Sequence, residues 1–375
     1  MSSIGDLRIA IIGPLPPPSG GMANQTRQLA ELLGAERIDA RVIQVNAPYR
    51  PAWIGRVRGL RALFRLFPYL VCLWRSAKEV QVFHVMANSG WAWHLLAAPA
   101  IRIGRLRGKG IIVNYRGGGA EAFFARSFGR VRPTLRKADL VVVPSGFLES
   151  VFAQYGIESR VVPNIINLQR FFPAARDDAA HPRSAPHLIV TRNLEAIYEI
   201  PTALRAFARV FERHPTSRLT IAGSGPERAT LAALAGELGI AGAVAFPGRL
   251  ESDAMAALYR DASVMLNPSG VDNMPNSVLE ALASGVPVVS TNVGGIRHLV
   301  EDGKTALLVP PGEPQAMATA VERLLADPHL TNTLIANGLA LAQRYAWSSV
   351  REQWFDAYRH VAAARAAVPG GHARR

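Results

Sequence analysis

The sequence predicts an α/β fold made of two Rossmann-like domains facing across a cleft, and three observations carry that prediction. Short β-branched apolar runs alternate with helical stretches along the chain, the pattern of parallel strands covered by helices on both faces. The 375 residues leave room for two domains at roughly 100–200 residues each. The charge also changes sharply near the middle. Residues 1–173 carry 23 Lys and Arg against 9 Asp and Glu, whereas residues 174–375 carry 19 of each. The whole excess of +14 therefore lies in the first half, as expected of two domains with different partners. Two successive strand–helix series rank this arrangement above a single eight-stranded barrel.

In the first half the strand-like runs are 8–13, 41–45, 80–85, 110–114, 140–144 and 160–163. In the second they are 187–190, 218–222, 244–246, 264–266, 287–290 and 306–309. Helical stretches lie between many of them, among them 22–33, 201–214 and 254–261. The polar segment 171–186, with proline and an Asp-Asp pair, reads as a linker and coincides with the change in charge. The expected domains are therefore 1–170 and 187–346, with 347–365 returning to the first. The Ala/Gly/Arg-rich tail 366–375 is expected to fray.

Composition excludes several classes. Apolar residues make up 49% and charged residues 19%, so the chain can bury a large core and global disorder is excluded. The lone Cys72 excludes an internal disulfide framework and a cysteine-cluster metal site. The run 8–13 is too short for a signal-peptide core. No stretch approaches the ~20 apolar residues of a membrane span; the longest, 91–101, contains His94. A cytosolic protein able to touch the inner membrane surface is expected.

Chemistry-bearing motifs follow two of the strands. The first strand runs into a proline-rich loop ending in Gly20-Gly21, and Met22 opens a helix. Glycines there let the backbone approach an anion at a helix N-terminus, although a proline-rich loop with a helix cap reads equally well. The second half is more informative: Asn267-Pro-Ser-Gly-Val-Asp272-Asn273-Met274-Pro275-Asn276-Ser-Val-Leu-Glu280, continuing to Gly294-Gly295. Two acids lie eight residues apart. Pro275 or Asn276 starts a helix, whose free N–H groups would neutralise a pyrophosphate without a metal. Glu280 would accept hydrogen bonds from sugar hydroxyls. Asp272 would contact a donor or cap the helix that follows. In open α/β sheets ligands bind at these carboxyl ends.

This stretch closely resembles the E-x7-E motif of family 4, the large retaining group of GT-B glycosyltransferases. The resemblance covers most of the chain. Gly20-Gly21 is similar to the family's first glycine loop. Ile189-Val-Thr-Arg192-Asn-Leu resembles the strand opening its second domain, with the phosphate-binding arginine. Ile221-Ala-Gly223-Ser-Gly225-Pro resembles its Gly-x-Gly-Pro turn, and Phe246-Pro-Gly248-Arg249-Leu the turn that contacts the base. Trp347-Ser348 and the helix through Tyr358 resemble the closing segment that crosses back to the first domain. The resemblance implies a nucleotide-sugar donor, UDP favoured, in the second domain and a glycan or lipid-diphosphate-linked acceptor in the first. It implies retention of anomeric configuration, with no cofactor and no obligate metal.

Three departures from the family pattern stand out. The leading acid is Asp272, one methylene shorter than glutamate. No lysine lies about five residues after Arg192, where Ala196, Ile197 and Tyr198 stand instead. A family histidine aligns with Arg116, which cannot act as a general base at neutral pH but can clamp a phosphate or a departing oxyanion. His84, at the end of strand 80–85, reads either as a hydrogen-bonded strand-end histidine or as an acceptor contact and proton relay facing the cleft. Arg192, Asp272, Arg116 and His84 are thus the candidate catalytic residues.

The stretch 53–75 is basic and aromatic. Leu60, Leu63, Phe64 and Phe67 share one spacing and Arg58, Arg61 and Arg65 another, as in interfacial helices. It reads equally as a domain helix with a solvated arginine face. Together with basic segments 102–109 and 126–137 it points to an anionic membrane surface, and no motif points to specific nucleic-acid binding. A sugar-nucleotide epimerase, a non-catalytic GT-B partner protein, and a membrane- or nucleic-acid-binding module are the alternatives.

Overall fold

The computed structural model describes residues 4–17, 20–49, 60–174 and 185–366. The chain divides into two compact units, Met1–Ile165 with Val350–Arg375, and Ile166–Ser349.

The first unit runs β1 (Arg8–Gly13), α1 (Gly21–Ala35), β2 (Asp39–Gln44), α2 (Leu60–Ser76), β3 (Val82–Ala87), α3 (Ala98–Leu106), β4 (Gly110–Tyr115), α4 (Ala120–Leu135), β5 (Leu140–Val143), α5 (Gly146–Gln154) and β6 (Arg160–Val161). Its sheet is parallel, in the order β2-β1-β3-β4-β5-β6. Every residue of β3 and β4 is buried. These strands therefore read as unbroken apolar runs rather than alternating ones, as expected of a sheet covered on both faces.

The second unit runs β7 (His187–Val190), α6 (Ile200–Arg213), β8 (Arg218–Ala222), α7 (Arg228–Glu237), β9 (Val244–Gly248), α8 (Ser252–Asp261), β10 (Val264–Asn267), α9 (Asn276–Ala283), β11 (Val288–Thr291), α10 (Ile296–Leu299), β12 (Leu307–Val309), α11 (Pro314–Ala326) and α12 (Pro328–Gln343). Its parallel sheet is ordered β12-β11-β10-β7-β8-β9. Both sheets are doubly wound, and their elements together are those of the GT-B architecture. The last helix, α13 (Trp347–Ala366), belongs to the first unit from Val350 onward. There Trp354 and Tyr358 are buried, and a Cβ on Gly110 would lie 2.5 Å from Val361 Cγ1. Glycine at 110 is what lets α13 lie directly on the start of β4.

Three sequence expectations change in detail. The break between units falls after Ile165 rather than at 170. Phe171, expected to begin a linker, is buried in the second unit's core with its ring 5.8 Å from that of Tyr259. The third strand lies two residues later than expected, which places His84 in mid-strand. Residues 175–184 of the expected linker, 53–59 of the basic stretch and 367–375 of the tail lie outside the described residues. Among the described residues no helix is long and apolar enough to cross a membrane.

Candidate active site

Because the second sheet is parallel, the carboxyl ends of its strands share one edge, and the loops leaving β7, β8, β10 and β11 meet there in pairs. Gly223 and Gly225, after β8, press on the loop after β7: a Cβ would lie 1.9 Å from Arg192 O and 2.2 Å from Leu194 O. Leu194 N–H donates to Ser224 O at 3.1 Å, closing the pair. Gly294 and Gly295, after β11, press likewise on the loop after β10. A Cβ would lie 2.1 Å from Asp272 O and 1.9 Å from Asn273 O, and Gly294 also has φ +48°. No L side chain fits at these positions without moving backbone. The glycines read from the sequence as ligand-binding are thus first of all the means by which two loop pairs close on each other.

Arg192 lies at the centre. Its Nη2 donates to Asp272 Oδ2 at 2.6 Å and Nη1 to Ser277 Oγ at 3.2 Å. The guanidinium lies over the Tyr198 ring, 4.2 Å from its centroid. Nε is buried and has no acceptor among the described residues. Asp272 Oδ1 accepts from the Asn273 N–H at 3.1 Å, so the carboxylate is committed on both oxygens. This corrects the capping reading of Asp272: α9 has Pro275 as its N-cap with no side-chain bond, and the carboxylate turns to Arg192 instead. Being one methylene short of glutamate, it sits back against Arg192.

Glu280 lies about one turn into α9. Its Oε2 accepts from Tyr259 Oη at 3.1 Å, and that hydroxyl also meets Thr191 Oγ1 at 2.7 Å. Burial pushes the Glu280 carboxyl up to about 7, opposed by the Tyr259 hydrogen bond and the charges of Arg192 and Arg170. Burial likewise raises the Tyr259 phenol, reinforced by the Glu280 charge. Arg249, following β9, reaches Asn193 Oδ1 at 3.5 Å beside the Arg192 turn. Gly248 holds φ +80°, which a glycine adopts without strain. Met274 is buried in the core of the unit. Asn273, Pro275 and Asn276 form the entry to α9, which has no side-chain cap and whose Val278 N–H donates to Pro275 O at 3.2 Å.

The first unit holds the remaining candidates. Gly20 is the N-cap of α1 in extended conformation, and Gly21 is its first residue, with no side-chain cap. Arg116 follows β4 and bonds Asn164 Oδ1, Gln25 Oε1 at 3.4 Å and Asn114 Oδ1 at 3.5 Å. Burial pulls its guanidinium down to about 10. For His84 the hydrogen-bonded reading holds, in mid-strand rather than at the strand end, and the acceptor-contact reading does not. The side chain is fully buried, with Nε2 3.0 Å from Asn114 Nδ2 and Nδ1 2.8 Å from Tyr358 Oη. With Nε2 accepting from the amide, Nδ1–H donates to the phenol. The ring centroid is 4.8 Å from that of Trp354. Burial, and after it the charge of Arg116, push His84 down to about 3. It therefore stays neutral and ties α13 to β3, with no access for an acceptor or a proton relay.

Sequence reasoning missed Tyr198, Tyr259 and Ser277 in the second unit, and Gln25, Asn114 and Asn164 in the first. Ser277 lies within the motif between Asp272 and Glu280, and the other five belong to no spaced motif. Only strand ends and helix faces, known once the sheet order is known, bring them to the site.

The chain matches two family models that together span most of it: Glycosyltransferase Family 4 over residues 19–170 and Glycosyl transferases group 1 over residues 172–340. The chain belongs to glycosyltransferase family 4. Among family members it is 33% identical to a D-inositol 3-phosphate glycosyltransferase of Acidothermus cellulolyticus, over 62% of this chain and 57% of that protein. The matches span about half the length of such curated relatives. Its fold is similar to that of sucrose-phosphate synthase from Thermosynechococcus elongatus, with a TM-score of 0.76 and 23% identity over 95% of this chain and 100% of that one. It is also similar to Alr3699/HepE of Anabaena in complex with UDP, with a TM-score of 0.70 and 18% identity over 94% of this chain and 100% of that one.

Proposed function

We propose that this family 4 protein is a retaining glycosyltransferase that moves a sugar from a nucleotide-sugar to a glycan or lipid-linked acceptor, in cell-surface polysaccharide or glycolipid synthesis. The observation that carries this reading is the second-unit constellation. Arg192, braced by Tyr198 and Asp272, sits beside the uncapped start of α9, with Glu280 one turn further on. A diphosphate placed there meets a fixed guanidinium, its buried Nε–H and the helix N–H groups, so leaving-group charge is stabilised by groups already in position and no metal is required. Glu280 suits two neighbouring ribose hydroxyls. UDP is favoured because the Anabaena protein of similar fold is described with UDP and with UDP-glucose. In a retaining transfer the acceptor hydroxyl attacks the anomeric carbon on the face the diphosphate leaves. The glycosidic oxygen bond breaks, and the departing phosphate takes the acceptor's proton. The protein contributes position and charge.

Retention is tested by incubating the protein with UDP-sugars and following slow hydrolysis by NMR. An α-linked donor should release the α anomer first, and first appearance of the β anomer would overturn retention.

The first unit supports a peripheral location on the cytoplasmic face of the membrane. Between Asp39 and Glu79 the chain carries no acidic residue. On α2 Phe64, Phe67 and Trp74 are exposed, Phe67 by 71%, and Arg107 lies over the Trp74 ring at 4.7 Å. Aromatic side chains interleaved with cations are what an anionic interface binds. Sedimentation with anionic vesicles should fall at least tenfold on F67D/W74D and be weakened by high salt. Equal binding to uncharged vesicles would remove the electrostatic contribution.

A further inference from the structure

Tyr259, fully buried on α8, brings one hydroxyl to three partners. Its Oη lies 2.7 Å from Thr191 Oγ1, where the chain leaves β7, and 3.1 Å from both Ser277 O and Glu280 Oε2 on α9. The ring itself packs against Phe171, with centroids 5.8 Å apart. A phenol has one proton to give and lone pairs to accept with. Ser277 O can only accept, and so can an ionised Glu280. If the phenol donated to Thr191, both contacts on α9 would set acceptor against acceptor. Thr191 therefore donates to Oη and leaves the phenol's proton for α9.

Two acceptors on α9 then compete for that proton, and the charge of Glu280 decides which takes it. An ionised Oε2 is the stronger acceptor, so Tyr259 donates to it. Once Glu280 is protonated, its own O–H donates to Oη and the phenol's proton turns to Ser277 O. Each of these groups is satisfied in both states, and one bond reverses direction. A buried carboxyl can thus titrate near neutrality without stranding a polar group. Arg192 and Arg170 bear on Glu280 through charge. Arg192 is held by Asp272, and Arg170 donates to Asp253 Oδ1 at 3.1 Å. Tyr259 is the side chain that hydrogen-bonds Glu280 among the described residues, and its bond falls on Oε2, leaving Oε1 open.

We propose that Tyr259 is a positioning residue of the donor site, holding Glu280 Oε2 in either protonation state and keeping Oε1 for the ligand's hydroxyls. This deepens the nucleotide-sugar reading of the second unit and rests on it for the ligand. Being fully buried, Tyr259 acts only through Glu280. It takes the carboxyl proton inward, so that Oε1 meets the ligand as an acceptor in both states, and more strongly when Glu280 is ionised.

Calorimetric titration of UDP between pH 6 and 9 into the wild type, Y259F, E280Q and Y259F/E280Q tests this. Using one ligand throughout cancels the ionisation of UDP itself. Y259F removes a charge-assisted hydrogen bond, so at pH 7 it should weaken UDP about tenfold or more and move the pH midpoint of binding up by about one unit. The loss should shrink at pH 9, where Glu280 ionises without help. In E280Q, which has no carboxylate to hold, adding Y259F should cost less than about threefold. A side chain that merely packs would cost the same at every pH and in both backgrounds. T191V keeps the phenol and removes the donor to it. It should move the midpoint the same way by a smaller step, and T191S should restore it. Thermal melts check each fold, and T191V carries the test if Y259F does not fold. An unmoved midpoint in the folded variants, or an equal loss with and without Glu280, would overturn the role of Tyr259. No UDP binding by the wild type would count against the donor site itself, whereas binding that depends on Glu280 but not on Tyr259 counts against this inference alone.

Discussion

Replacing Arg192 with Gln is expected to cut turnover by about 100-fold or more, the usual cost of removing one donor to developing negative charge. The same substitution leaves Asp272 buried without its partner 2.6 Å away, and a broken buried pair costs about 3–5 kcal/mol. A loss of activity alone would therefore be ambiguous. The double variant R192Q/D272N resolves it. With both charges gone, stability in urea should return most of the way towards wild type, while turnover should stay low. D272N alone should destabilise the protein and yet not weaken UDP binding, because it releases Arg192 from a competing anion. Near-normal turnover in R192Q would remove Arg192 from the mechanism. A double variant no more stable than R192Q would show that the pair is not what holds these loops.

Glu280 carries the second large effect. Two charge-assisted hydrogen bonds, each worth about 1.5–3 kcal/mol, amount to a loss of donor affinity on the order of 100-fold or more in E280Q. The raised carboxyl of about 7 sets the pH dependence. In the folded protein the neutral form is favoured. Stability is then highest below the ordinary glutamate range and declines as pH rises through about 4.5 to about 7. Glutamine imitates the neutral form, so E280Q should melt close to wild type at pH 5 and above it at pH 8. Donor binding runs the opposite way, since the ionised carboxylate is the better acceptor. UDP should bind the wild type more weakly as pH falls from 8 to 6, and this slope should vanish in E280Q. Thermal melts and calorimetry at pH 5, 6, 7 and 8 read both. A slope retained in E280Q would place the titrating group elsewhere.

Much of the architecture was legible in the sequence because parallel strands buried on both faces are marked by continuous apolar runs. The run 110–114 reappears as β4 and 187–190 as β7. The second-unit motif was legible for a related reason: Gly223, Gly225, Gly294 and Gly295 are fixed by backbone contacts under 2.5 Å from a would-be Cβ, so glycine is demanded at set spacings. Partnership was not legible. Nothing in the spacing of Asp272 and Arg192, 80 residues apart, says that they meet. Tyr259 lies on a helix face that reads as ordinary core, yet it holds Glu280. His84 misled because a two-residue error in a strand boundary moves a side chain from the strand end to its middle, where α13 covers it with Trp354 and Tyr358. The first unit carries fewer demanded glycines, and its site emerges only from packing.

The most direct measurement is titration of UDP in the presence of a chelator into the wild type and into Glu280→Ala, alongside GDP and ADP. The second-unit constellation should bind one nucleotide without metal. At 100 times its dissociation constant that nucleotide should stabilise the wild type by about 2.7 kcal/mol, and most of the effect should be lost in the variant. Binding of no nucleotide, or equal binding by the variant, would contradict the assignment of this site to a nucleotide-sugar donor.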